Sequence, residues 1–200
     1  EREARDLLSL VVTEQLVVFY AQSGTGKSSI INTRLIPNLE SKGFEVLPIG
    51  RVIADLPADI EIDNIFVYNL MRNLLNHEVE PNVLANLRLT NFLAKVDSNA
   101  EGCFYPAGVS DAAEGETRRS KRRVLIIDQF EELFKMHSEA WESRKDFFDQ
   151  LAQAMQDDPY LWVIFVMRED FIAYLVKNDE NDNQPGFFLV EPRRECLDKC

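Results

Sequence analysis

Two short stretches, far apart in the chain, carry side chains suited to gripping a polyphosphate. The first is Ala21-Gln22-Ser23-Gly24-Thr25-Gly26-Lys27-Ser28, which fits the phosphate-loop spelling Gly-x-x-x-x-Gly-Lys-Ser/Thr except that Ala21 replaces the opening glycine. Gly24 and Gly26 let the backbone turn so that successive N–H groups face inward, and a following helix presents its positive N-terminal end to the same anion. Lys27 is then placed to reach the β and γ oxygens. The Ser28 hydroxyl is placed to ligate Mg²⁺, a hard cation that keeps most of its water. Alanine at position 21 is acceptable if the preceding strand runs on through it, because alanine takes only negative φ at low cost. The bland alternative, a Gly/Ser turn that happens to hold a lysine, is disfavoured because strand, loop and helix fall in the order the motif requires.

The second stretch is Val124-Leu125-Ile126-Ile127-Asp128-Gln129-Phe130-Glu131-Glu132. An apolar run delivers one carboxylate at its end and two more three and four residues on, which resembles a Walker B strand. Asp128 is placed to hold the Mg²⁺ shell, while Glu131, with Glu132 second, is placed to accept a proton from an attacking water. Alone, this pattern would equally describe a helix with an acidic first turn; the upstream phosphate loop tips it towards catalysis. A third run, ending in Met167-Arg168-Glu169-Asp170-Phe171, closes on a cation. Ligands of open parallel sheets sit at the carboxyl ends of strands, and arginine suits phosphate oxygens. Arg168 is therefore expected to face the phosphates rather than to pair at the surface with Glu169, Asp170 or Glu131.

These groups need a scaffold, and the hydrophobic pattern supplies one. Leu16 to Tyr20 predicts a strand buried on both faces. A helix from near Lys27 carries Ile31 and Leu35 on one face until Pro37 stops or kinks it. Phe44 to Ile49, Val124 to Ile127, Leu161 to Met167 and Phe187 to Val190 predict strands two to five. Helical spacing marks Asn64 to His77, a segment from Pro81 through Leu87, Arg144 to Gln156 and Asp170 to Val176. Strands alternating with helices mean an α/β fold with a parallel sheet. Asp97 to Ser120, about 97–120, has no period and reads as a mobile insertion.

Composition bounds the rest. The 200 residues are 46% apolar, enough for one core, and the net charge of −12 disfavours nucleic acid as a partner. The basic run Arg118 to Arg123 reads as a solvated lead-in to the third strand. Three cysteines, Cys103, Cys196 and Cys200, form no disulfide framework and, with His77 and His137 in unrelated segments, no metal set. No apolar run approaches the roughly 20 residues that cross a bilayer. A cytoplasmic location without a membrane partner is expected.

The strings Ala-x-x-Gly-Thr-Gly-Lys-Ser-Ser from Ala21, Leu-Ile-Ile-Asp-Gln-Phe-Glu-Glu-Leu-Phe from Leu125 and Arg-Glu-Asp-Phe from Arg168 resemble the core of STAND proteins, signal-transduction ATPases with numerous domains, in their novel STAND branch. That resemblance implies a three-layer P-loop NTPase sandwich whose five-stranded sheet is ordered 5-1-4-3-2, spanning 1–192, with 193–200 leading into a truncated helical and winged-helix lid. It implies ATP (or ADP) and Mg²⁺ as cofactors, with Ser23, Gly24, Thr25, Gly26, Lys27, Ser28 and Ser29 around the phosphates. Ser28 and Asp128 would hold the metal, Glu131 or Glu132 would serve as base, and Arg168 would sense the γ-phosphate. It further implies slow hydrolysis, self-association in the active state, attached sensor and effector domains, and a role in defence. Family chains open on an apolar-Gly-Arg-Glu-x-Glu string, of which Glu1-Arg2-Glu3 would be the remnant in an excised domain. Two other readings compete: a nucleotide-binding scaffold without hydrolysis, and a metabolic P-loop kinase, against which Glu131 and Glu132 argue. A GTPase base-reading Asn-Lys-x-Asp and an ABC signature are not in the sequence.

Overall fold

The run Leu16-Val17-Val18-Phe19-Tyr20-Ala21 is β-branched and aromatic, so it packs on both faces and forms strand β1 (Leu16–Ala21). Val17 and Phe19 point to one side, Leu16 and Val18 to the other, and both sets are buried. The same alternation divides β5 (Arg123–Ile127) and β6 (Leu161–Arg168) between two cores. The computed structural model describes residues 2–53, 56–57, 60–99, 102–104, 121–135, 141–176 and 188–190. With β2 (Glu45–Val46) and β7 (Phe188–Val190), these strands form one sheet in the order β2-β5-β6-β1-β7, every pairing parallel. β6 lies between the strand that feeds the phosphate loop and the strand that ends in Asp128. Its register differs on its two sides: β5 ends with Ile127 level with Phe165, whereas β1 continues until Ala21 is level with Arg168.

One face carries α1 (Arg2–Thr13), α2 (Lys27–Ile30), a π-helical turn (Ile31–Leu35) and α3 (Ile36–Ser41), whose Leu7, Val11, Ile31, Leu35 and Leu39 meet Val17, Phe19, Val124, Ile126, Ile164 and Val166. The opposite face carries α4 (Ile65–Leu74), α5 (Pro81–Ala85), α6 (Leu89–Lys95) and α8 (Trp141–Asp157). Helix α7 (Glu132–Lys135) follows the acidic turn, and α9 (Ile172–Val176) follows a 3₁₀ turn, Glu169–Phe171, after β6. Buried polar groups tie the second face together. The Asn64 side chain caps α4 by accepting from Phe66 N and Val67 N, and its amide donates to Asp146 Oδ2 at 2.7 Å. Gln150 donates to the same carboxylate and accepts from Leu89 N at the start of α6.

Several expectations are corrected. Pro37 neither stops nor sharply ends the helix begun at Lys27, because a π-helical turn, Ile31–Leu35, precedes it. The wider turn shifts the hydrogen-bond register, so the proline enters at the first turn of α3, where its missing N–H costs little. The helix expected to reach His77 ends at Leu74, where Leu75 turns extended. The helix expected from Pro81 through Leu87 begins at Pro81 but ends at Ala85, and α1 and α6 carry no expectation from the sequence at all. The second strand shrinks to two residues plus a parallel bridge between Gly50 and Ile127. The aperiodic segment from Asp97 opens with an antiparallel hairpin, β3 (Asp97–Asn99) on β4 (Gly102–Phe104). Its remainder, Arg118 to Ser120, His137, Phe187 and Glu191 to Cys200 lie outside the described residues, as does the expected lid at 193–200.

Candidate functional site

Ala21 is the last residue of β1, as its spelling requires, and the chain leaves the sheet there. Gly24 and Gly26 take φ of 79° and 77°, the left-handed region in which a side chain is strained. Gly26 then caps the helical run from Lys27, and Ile30 N donates to its carbonyl at 2.9 Å. Within the loop, the Thr25 hydroxyl donates to Gln22 O at 2.8 Å. Lys27 Nζ donates to Ala21 O and Gln22 O, each at 2.9 Å, so the ammonium is folded back over the loop. Ser23, Gly24, Gly26, Ser28 and Ser29 are exposed and Thr25 is half-buried.

The two motifs meet at one hydrogen bond. Ser28 Oγ donates to Asp128 Oδ2 at 2.9 Å. Asp128 is 7% exposed, and its backbone is fixed by an N–H donated to Gly50 O at 3.0 Å. Its other carboxylate oxygen accepts from Gln129 N at 2.8 Å, and Gln129 takes φ of 55° to turn the chain. Phe130 N then donates to Val166 O at 2.9 Å, and the Phe130 ring lies stacked on Phe165 with centroids 3.9 Å apart. Glu131, also 7% exposed, accepts from Arg168 N at 3.3 Å through Oε2, while Lys135 Nζ stands 3.7 Å from Oε1. Thus the acidic turn is anchored to its surroundings at Asp128, Phe130 and Glu131.

Electrostatics separates the two glutamates. Burial lowers the Lys27 ammonium below the ordinary lysine range, and the opposing pulls come first from Glu131 and then from Asp128. Burial likewise raises the Glu132 carboxyl, countered chiefly by Arg51. Glu131 is thus the strongest anionic influence on Lys27, and Arg51 the strongest cationic influence on Glu132. Arg168 departs from its expected orientation. Its Nε and Nη2 donate to Asp170 Oδ1 and Oδ2 at 3.1 and 2.7 Å, a pairing at the surface rather than towards the phosphates. Desolvation pushes the Asp170 carboxyl up, but the hydrogen bonds from Arg168, a bond from its own backbone N–H and the charges of Arg168 and Lys135 together hold it below the usual range.

The structure adds Gly50, Arg51, Lys135 and Asp170 to the site. Asp170 is legible as an acid two residues past the strand-ending arginine, whereas Gly50 lies one residue beyond the expected second strand and its role depends on distant partners. Nothing in the local spelling singles out Arg51 or Lys135. For Mg²⁺ the donor set fits: a hydroxyl and a carboxylate oxygen, both hard, adjoin the phosphate loop. Among the described residues no group of three or more His, Cys, Asp or Glu side chains is arranged as a metal cage, so the other ligands would be water and phosphate, as this ion prefers.

No curated protein matches the chain. Among solved structures it is similar to the Aeropyrum pernix ORC2 protein in its ADPNP–ADP complexes, at 14% identity and a TM-score of 0.49. The alignment covers 94% of this chain and 45% of that one, so the chain spans less than half the length of that protein. The model of the family described as novel STAND NTPase 1 matches residues 1–196. With phosphate loop and acidic strand end brought together as such an enzyme needs, the chain belongs to the novel STAND NTPases and is a nucleotide-binding NTPase domain.

Proposed function

We propose that the domain binds ATP with Mg²⁺ and hydrolyses it slowly, as the nucleotide-dependent switch of a cytoplasmic chain that self-associates when active and carries sensor and effector parts, in keeping with a defence role. The observation that supports it most is the Ser28–Asp128 hydrogen bond, which joins the two motifs across the sheet. Lys27, Ser28 and the inward N–H groups from Ser23 to Ser29 would bind and orient the phosphates. Lys27 would exchange the carbonyls of Ala21 and Gln22 for phosphate oxygens. Ser28 and Asp128 would hold Mg²⁺, which supplies charge neutralisation at the β and γ oxygens when bound.

Glu131 is the base in this reading. Its carboxylate is oriented by Arg168 N and Lys135 and is the strongest anionic influence on Lys27. Water oxygen bonds to the γ-phosphorus as the β–γ bridge oxygen leaves with ADP, and Glu131 takes the proton. Slow turnover is consistent with Arg168 having to leave Asp170 before it can meet the transferring phosphoryl group, since an arginine placed there is a large source of rate.

Glu131→Gln tests the assignment. It should retain Mg-ATP binding and lose turnover by on the order of 10²- to 10⁴-fold. Equal turnover in variant and parent would move the base to Glu132, and no turnover in either would leave a nucleotide-binding scaffold. In the same titration calorimetry, Lys27→Ala should abolish binding; undiminished binding would sink the phosphate-loop assignment.

A further inference from the structure

Arg168 ends β6 level with Ala21, the residue from which the phosphate loop departs. It also acts on Lys27, whose hold on its proton it weakens. The guanidinium is nevertheless turned onto its own chain. The 3₁₀ turn Glu169–Phe171 brings Asp170 back under it, and the two side chains meet fork to fork at 3.1 and 2.7 Å. Phe171 backs the pair, its ring centroid 5.8 Å from the guanidinium carbon. The arginine and aspartate side chains are 38% and 51% exposed, which makes the pair weak and readily exchanged. A phosphate group offers the same two-oxygen geometry with more charge. Asp170 is thus a competitor for the cation that stands beside the loop.

We propose that Asp170 is a positioning residue that competes with a γ-phosphate for Arg168, and so sets how strongly the domain prefers a nucleoside triphosphate to a diphosphate. This rests on the nucleotide reading above. A diphosphate ends one phosphoryl group short and leaves the Arg168–Asp170 fork closed. A triphosphate presents oxygens that the guanidinium takes in exchange for the carboxylate. The fork also lies beside the proposed base, since the backbone N–H of the same arginine donates to Glu131 Oε2.

The test is a comparison of Mg-ATP and Mg-ADP dissociation constants for the full chain by titration calorimetry. Asp170→Asn should tighten Mg-ATP about three- to fivefold, the worth of an exposed ion pair, while Mg-ADP changes by less than about 1.5-fold, since that ligand leaves the fork closed. Asp170→Glu should return the ratio towards that of the parent, and in an Arg168→Ala background Asp170→Asn should have no effect on it. An unchanged ATP-to-ADP ratio in Asp170→Asn, an equal change for both nucleotides, or an effect that survives Arg168→Ala would overturn the proposal alone. A parent chain that binds neither nucleotide would overturn the nucleotide reading and this proposal with it. Melting curves that coincide for parent and variant separate either outcome from misfolding.

Discussion

The phosphate loop and the acidic turn lie at the same rim of the sheet, yet they are built in opposite ways. The loop is held mostly by its own atoms: Lys27 and Thr25 bond back to Ala21 and Gln22, and a Cβ added at Gly24 would meet nothing within 4 Å. The turn is held by everything around it: Gly50 O fixes Asp128, Val166 O fixes Phe130, Arg168 N meets Glu131, and Phe130 is fully buried. A region that must wrap a ligand keeps internal, exchangeable bonds. A region that must aim carboxylates is fixed beforehand, which is how electrostatic preorganisation avoids reorganisation during a reaction.

Substitutions should expose that asymmetry, most strongly in the turn. Phe130→Ala removes a ring that packs with Phe147, Phe148 and Phe165 and should cost about 3–5 kcal/mol in chemical denaturation. A loss under about 1 kcal/mol would mean that the turn is not braced through its core. Gly50→Ala comes next. Its Cβ would collide with the buried Leu70 side chain, and overpacking of this kind costs about 1–3 kcal/mol. Because Gly50 O also holds Asp128 N, the variant should lose Mg²⁺-dependent nucleotide affinity along with stability; a stability loss with unchanged affinity would separate the brace from the site.

The loop should respond most to pH. The lysine ammonium is disfavoured by burial, so the folded chain binds that proton less tightly than the unfolded chain does. Between the lowered value and the ordinary 10.5, the unfolded state carries more protons, and ligand-free stability rises slightly with pH. Phosphate affinity moves the other way across the same window, because only the ammonium attracts the anion. Calorimetry from pH 7 upwards should therefore show affinity falling before an ordinary lysine would titrate, and Lys27→Ala should remove the decline.

How far these regions were legible in the sequence follows the same division. The loop was read through Ser28, including the strand that continues into Ala21, because glycine, lysine and serine there answer to local geometry. Asp128 and Glu131 were placed for the same reason. Gly50 was missed, since its part depends on Leu70 and Asp128, both distant in the chain. The Arg168–Asp170 fork is not legible from spacing, which does not decide between a near carboxylate and a ligand. The π turn before Pro37 reflects a hydrogen-bond register that hydrophobic periodicity does not encode. The β3–β4 hairpin is spelt largely with Asp, Ser, Asn and Gly, residues poor in strand preference, and so looked like loop.

The unequal register of β6 has a dimensional consequence. β5 stops level with Phe165 and β1 with Arg168, a step of three residues, or roughly 10 Å at the rise of a strand. The segment from Asp128 to Glu131 ascends that step, touching Val166 and Arg168 on the way. Its length is consequently a matched part, like a stair cut to the height of a landing. One residue more or fewer would deliver the wrong side chain to the top, however well its chemistry were preserved.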